Sequence, residues 1–276
     1  MDAKNRIIVA LDVDNLDKAK SLVESLAPHV GCFKGGLELL TAVGAPKVVE
    51  FVHSLGGQVF FDGKFKDIPN TVAGAARAVT RLGVKMFNVH CLGGIPMMKA
   101  AHDAAEAEWI ELERLKVFRG QEPFQTKSPL ILGVTLLTSL NFDDMVNLGV
   151  WSGICLDDEG LSEGQAVAKK RERVQQFVAN LARSAQKAKL DGVISSPQEI
   201  KIIREKCGPD FMIVTPGVRP EWAAAGDQKR IMTPAEAIKA GATALVIGRP
   251  ITKPPVEIGT PADAAKKIAE EIAAVL

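Results

Sequence analysis

Eight times along the chain, a short and almost wholly apolar run is followed by a longer stretch with helical spacing. The apolar runs fall at 7–11, 30–33, 59 onward, 86–89, 130–135, 192–194, 211–214 and 244–247. The helical patterns fall at 16–26, 45–55, 71–82, 95–115, 169–189, 197–205, 233–240 and 262–276. Strands that are apolar on both faces must be buried on both faces, which means a parallel sheet with helical crossovers. Eight such units close into an α/β fold, a single (β/α)8 TIM barrel spanning 1–276. A doubly wound open sheet is the alternative, but no G-x-G-x-x-G follows the first strand. Two stretches fit neither pattern. Residues 106–127 are charged and Gln-rich, and 151–164 are acidic and Gly-rich, so both are expected as surface insertions.

The third unit breaks the rule that buried strands stay apolar. Residues 58–71 read Q-V-F-F-D-G-K-F-K-D-I-P-N-T. Side chains two apart share a face of a strand, so Asp62 and Lys64 point the same way. Asp67 falls past the strand, on the turn set by Pro69. Charges at the end of a buried strand are costly unless paired. A carboxylate about 4 Å from an ammonium attracts it by roughly 4 kcal/mol at an effective dielectric near 20. That pairing keeps the lysine as NH3+, whereas a Schiff-base lysine needs the opposite environment. Lys64 therefore suits proton donation or anion stabilisation. A surface ion-pair network remains the other reading of these charges.

The remaining polar strand ends are Asp12, Lys34, His90, Thr138 and Arg249, all at C-terminal ends, the face on which barrel enzymes build their sites. The loops after the seventh and eighth strands read T-P-G-V-R-P and G-R-P-I. Barrels often hold a phosphate there. Gly217 and Gly248 let backbone N–H groups approach an anion, and Arg249 can grip it with paired donors. Plain turn chemistry explains the same two glycines. Gln228, on the long 218–230 loop, is a neutral donor that could close over a ligand as part of a lid. His90 reads as a hydrogen-bonded strand-end residue. Thr138 and Ser139 either contact a polar ring edge or cap a helix.

Net charge is +1, which gives no electrostatic case for binding nucleic acid or an anionic membrane. Cys32, Cys91, Cys155 and Cys207 are scattered and form no C-x-x-C pair. That argues against zinc or a redox dithiol and favours a reducing compartment. No His/Asp/Glu spacing suggests another metal. The first residues, M-D-A-K-N-R, carry no apolar signal segment, and no run reaches transmembrane length. A cytoplasmic location is expected.

Taken together, D-G-K-F-K-D-I-P-N-T, A-L-D, F-K-G-G, L-T-S, V-T-P-G-V-R-P, Asp227-Gln228 and G-R-P-I resemble the motifs of the orotidine 5′-phosphate decarboxylase family. The resemblance runs over nearly the whole chain apart from the two insertions. It implies a carboxy-lyase that converts orotidylate to uridylate in pyrimidine biosynthesis with no cofactor and no metal. It further implies that Lys34, Asp62 and Lys64 form a charged array in one subunit of a homodimer. Asp67 would complete the neighbouring subunit's site, with Ile68 and Thr71 beside it. Asp12 and Lys34 would bind the ribose hydroxyls, and Thr138 or Ser139 the pyrimidine. Arg219, Gln228, Gly248 and Arg249 would hold the phosphate, with Pro216 and Gly217 also among the substrate-binding positions. The chain departs from the family at Gly63 and Lys66, where Leu or Met and His are usual; Gly63 is expected to loosen the strand end. Two readings rival it: a magnesium-dependent phosphosugar decarboxylase or aldolase on the same barrel, and a phosphate-ligand-binding barrel that has lost catalysis.

Overall fold

A computed structural model describes residues 1–119, 121, 128–151, 162–223 and 232–276. Eight parallel strands close on themselves in sequence order. They are β1 (Ile7–Leu11), β2 (Cys32–Gly35), β3 (Val59–Phe65), β4 (Met86–His90), β5 (Leu130–Val134), β6 (Gly192–Ile194), β7 (Met212–Pro216) and β8 (Ala244–Ile247). Closure is made by the β8–β1 pairing, with Ile7, Ile8 and Val9 opposite Leu245, Val246 and Ile247. The connections are α1 (Leu16–Leu26), α2 (Leu37–Val43), α3 (Ala45–Ser54), α4 (Pro69–Arg81), α5 (Gly94–Phe118), α6 (Phe142–Asn147), α7 (Glu163–Lys187), α8 (Ile200–Cys207), α9 (Pro234–Lys239), α10 (Arg249–Thr252) and α11 (Pro261–Ala273).

Local chemistry starts these helices where they start. The Asn15 side chain accepts the Lys18 N–H at 2.9 Å to open α1. Reciprocal capping boxes open α6 at Asn141, α7 at Ser162, α9 at Thr233 and α11 at Thr260. Pro69 at the first position of α4 removes a donor that would have had no partner.

The apolar residues divide by strand alternation. Ile8, Ala10, Cys32, Phe60, Met86, Leu132, Met212, Val214, Ala244 and Val246 fill the barrel interior. Their strand neighbours, such as Val9, Phe33, Phe61, Phe87, Ile213 and Ile247, pack outward against the helices. Among the described residues no helix is long and apolar enough to cross a membrane.

Three boundaries differ from expectation. β2 begins and ends about two residues later, which places Lys34 inside the strand. A short helix, α2, follows it directly, because L-E-L-L buries Leu39 beneath the turn opened by Gly36. Residues 106–118, expected as part of an insertion, continue α5, and Glu108 there pairs with Arg81 of α4 at 2.7 Å. Of the stretch 151–164, Trp151 stacks on Phe142 with ring centroids 5.0 Å apart, and 163–164 open α7. The rest of that stretch lies outside the described residues.

Candidate active site

Four interior rows of the barrel, those of β1 to β4, continued by one step toward the C-terminal end, arrive at a polar residue, and that of β8 arrives at a glycine. Ala10 leads to Asp12, Cys32 to Lys34, Phe60 to Asp62, Met86 to Asn88 and then His90, and Val246 to Gly248. Strand alternation therefore aims these groups at the mouth from several strands at once.

The Asp62 carboxylate is the centre of the array. Its Oδ1 accepts Lys64 Nζ at 2.6 Å and Asn88 Nδ2 at 2.7 Å. Its Oδ2 lies 3.3 Å from Lys34 Nζ, and Lys34 reaches on to Asp12 Oδ1, also at 3.3 Å. The side chains of Asp62 and Lys34 are 9% and 13% exposed, against 32% for Lys64, so the array is sealed below and open above at Lys64. Burial pushes the Asp62 carboxyl upward. The Lys34 and Lys64 ammonium groups, with the hydrogen bonds from Lys64 and Asn88, outweigh burial and leave it below the usual carboxylate range. Two positive charges thus share one carboxylate, and the more exposed ammonium faces the opening.

The end of β3 is irregular. The ladder to β4 pairs Phe61 with Phe87 but Phe65 with Val89, so β3 spends extra residues there. Lys64 takes φ +49°, the left-handed region that a residue with a side chain seldom adopts. Gly63 does not leave a loose space. A Cβ there would meet Phe61 Cε1 at 2.4 Å and Phe65 Cε1 at 3.1 Å, so two rings occupy the room a side chain would need.

His90 is half-buried, and its Nδ1 accepts the Leu92 N–H at 3.3 Å. Burial, then the charges of Lys66 and Lys64, hold its imidazole below the ordinary histidine range, so the ring is neutral at pH 7. Gly36 leaves room for the Lys34 ammonium, which would lie 2.8 Å from a Cβ at that position. Gly248 stands beside Asp12, whose Oδ2 would be 3.7 Å from a Cβ there.

The other expected residues lie at strand ends and on the connections beyond them. Asp67, Ile68 and Thr71 are exposed, Ile68 at 66%. Asp67 Oδ1 accepts the N–H of its own neighbour Ile68 at 2.6 Å. Thr138 and Ser139 lie on the exposed turn between β5 and α6. Pro216 ends β7, and Gly217 follows at φ +79°. Arg219 is buried, and its backbone N–H donates to the Met232 carbonyl at 3.0 Å, which ties 219 to 232. Arg249 is exposed at the first position of α10. Gln228 lies outside the described residues. Among the described residues no three His, Cys, Asp or Glu side chains gather as they would around a metal ion.

Sequence reasoning missed Asn88. The signal was present as an amide in the apolar run M-F-N-V-H, since a fully buried amide must have hydrogen-bond partners.

The family model described as "Orotidine 5′-phosphate decarboxylase / HUMPS family" matches residues 5–268. The chain is 49% identical over 272 residues to orotidine 5′-phosphate decarboxylase of Moorella thermoacetica, covering 99% of this chain and 94% of that one. It is 46% identical over 273 residues to the protein of the same name from Trichlorobacter lovleyi, covering 99% and 97%. The crystal structure of orotidine 5′-phosphate decarboxylase from Lactobacillus acidophilus superposes with a TM-score of 0.71 at 33% identity, over 96% of this chain and 98% of that one.

Proposed function

The chain belongs to the orotidine 5′-phosphate decarboxylase / HUMPS family, and on that premise we propose that Lys64, paired with Asp62, carries the loss of carbon dioxide. The activity is that of a carboxy-lyase, converting orotidine 5′-phosphate to uridine 5′-phosphate and carbon dioxide in pyrimidine biosynthesis. When the bond from ring C6 to the carboxylate breaks, its electron pair stays on C6. The Lys64 ammonium is the fixed positive charge that stabilises that carbanion, and it then delivers its proton to C6. The resulting amine regains a proton from solvent. The observation that carries this reading is the 2.6 Å Lys64–Asp62 pair, held from behind by Lys34 and open toward the mouth.

The other roles rest on the family resemblance. Asp12 and Lys34, linked to each other, face the ribose hydroxyls. Thr138 or Ser139 meets the pyrimidine edge. Pro216, Gly217, Arg219, Gln228, Gly248 and Arg249 form the phosphate end, where charge-assisted hydrogen bonds are each worth about 1.5–3 kcal/mol. That remote binding energy would order the charges of the array. Asp67, Ile68 and Thr71 serve a neighbouring subunit. They are exposed and lie outside their own array, and the apolar Ile68 beside the Asp67 carboxylate suits a protein contact. A homodimer with Asp67 donated across the interface satisfies that placement. The nucleotide substrate and the free, buried Cys32, Cys91 and Cys207 fit a cytoplasmic enzyme.

The test is the loss of orotidylate absorbance in EDTA, with the wild-type chain and Lys64→Ala. The wild type is expected to turn over. The variant should fold, bind uridylate and lose turnover by at least about 10⁴-fold. Near-native activity in Lys64→Ala would refute the assignment.

A further inference from the structure

The geometry points to Asn88 as the positioning residue that shapes the backbone at Lys64 and turns the Asp62 carboxylate toward its two ammonium partners. This rests on the reading of Lys64 as the reacting group. Asn88 sits on β4, wholly buried, between Met86 and His90 on the interior face.

Chemistry leaves its amide one orientation. The Lys64 backbone N–H can only donate, so the atom 2.7 Å from it must be Oδ1. Nδ2 then faces Asp62 Oδ1 at 2.7 Å, a donor against a group that only accepts. One side chain therefore holds two elements of the site at once.

The first hold concerns strain. Lys64 sits at φ +49°, which L-residues disfavour, and it sits where the β3–β4 ladder has slipped. Inside that bulge the Lys64 N–H meets the Asn88 side chain. Without that acceptor a part-buried N–H would lose its partner, and the backbone would be free to relax toward a regular strand. The ammonium would then move off the Asp62 oxygen that it contacts at 2.6 Å.

The second hold concerns charge. Asp62 faces Lys34 from β2, Lys64 on its own strand and the neutral Asn88 from β4; Asp12 acts through Lys34, and Lys66 and His90 lie further along. Among the described residues Asn88 is the uncharged side chain that donates to Asp62. It adds a hydrogen bond to the ionised carboxylate without adding a third ammonium to compete with Lys34 and Lys64 for it.

Leucine, serine and aspartate each fail at least one of these purposes at this position. A leucine would leave the Lys64 N–H unmet and remove a donor from Asp62. A serine would be too short to span the two groups. An aspartate keeps the acceptor and the shape but sets a second carboxyl against Asp62.

The full chain is to be compared with Asn88→Ala and Asn88→Asp for kcat and KM on orotidylate across pH, for uridylate binding, and for thermal unfolding. In Asn88→Ala kcat should fall about 10²-fold, the scale of a 1 Å misplacement. KM and uridylate affinity should stay within about threefold, because ribose and phosphate contacts are untouched. In Asn88→Asp two adjoining carboxyls raise the proton affinity of the pair, so the acid limb of kcat/KM should move up by about one pH unit or more. A merely structural Asn88 would lower the melting temperature and leave kcat and the acid limb alone; that result, or a rise in KM with kcat unchanged, overturns the inference. If Asn88→Ala does not fold, the isosteric Asn88→Asp profile decides. Wild-type behaviour in both Asn88 variants, with Lys64→Ala inactive, removes this inference alone. An active Lys64→Ala removes the reading beneath it.

Discussion

At Asp62 two effects oppose each other, and their balance has a measurable sign. Burial favours the neutral acid, while two ammonium groups and two hydrogen bonds favour the anion and win. The folded-state pKa is thus below the unfolded value of about 3.9. A depressed carboxyl contributes stability that is complete above the unfolded pKa and is lost as pH falls through the folded one. The urea midpoint of the wild type should therefore drop from about pH 5 downward, and the drop should be shallower in Asp62→Asn. Parallel acid profiles for the two proteins would show that Asp62 is not so perturbed. The charges at 34, 62 and 64 were legible in the sequence because each stands where an apolar strand ought to continue. Asn88 was harder to see, since its need arises only once β3 bulges. Burial of Arg219, on a loop, had no one-dimensional signal.

At the scale of elements, the strand ends and the close approach of neighbouring strands set the site. β6 carries Gly192 opposite Met212, and a Cβ there would meet the Met212 carbonyl oxygen at 2.2 Å and its Cβ at 2.5 Å. Backbone cannot yield as a flexible side-chain tip can. Gly192→Ala should therefore push β6 from β7 at a cost of about 1–3 kcal/mol. At roughly 2–4 °C per kcal/mol for a domain of this order, the melting temperature should fall by several degrees. An unchanged melting temperature would mean that the pair has slack the geometry does not show. The strands themselves were readable from their apolar runs. The short α2 was not, because its seven residues follow β2 with no apolar period long enough to register. The end of β3 was half legible. Glycine at 63 announced irregularity, but only packing revealed that the Phe61 and Phe65 rings fill the place of its side chain.

For the whole molecule, the barrel brings together at one mouth Asp12, Lys34, Asp62 and Lys64, which the C-terminal ends of three strands supply over a span of 53 residues of sequence. A barrel does this without a dedicated scaffold, because adjacent parallel strands present their C-terminal ends side by side. On the proposed reading, the exposed Asp67 serves a second copy of the chain. Chains carrying Asp67→Ala and Lys64→Ala are each expected to be nearly inactive. Mixed, unfolded and refolded together, half of the dimers should pair unlike chains, each with one intact site of two. Activity should then return to about a quarter of wild type in a symmetric dimer with shared sites. No recovery on mixing would place Asp67 outside the partner's site.

Periodicity and strand-end chemistry were determined by the sequence alone. Apolar runs too continuous for a half-exposed sheet demanded parallel strands under helices, and lysines and aspartates at their ends demanded partners. Tertiary structure decided which partners. The Lys64–Asp62–Lys34 spacing depends on register between strands, on a bulge that turns Lys64 into the left-handed region, and on a buried amide from the next strand that meets it there. Those are distances between segments remote in sequence, and no local pattern encodes a distance until the barrel has closed.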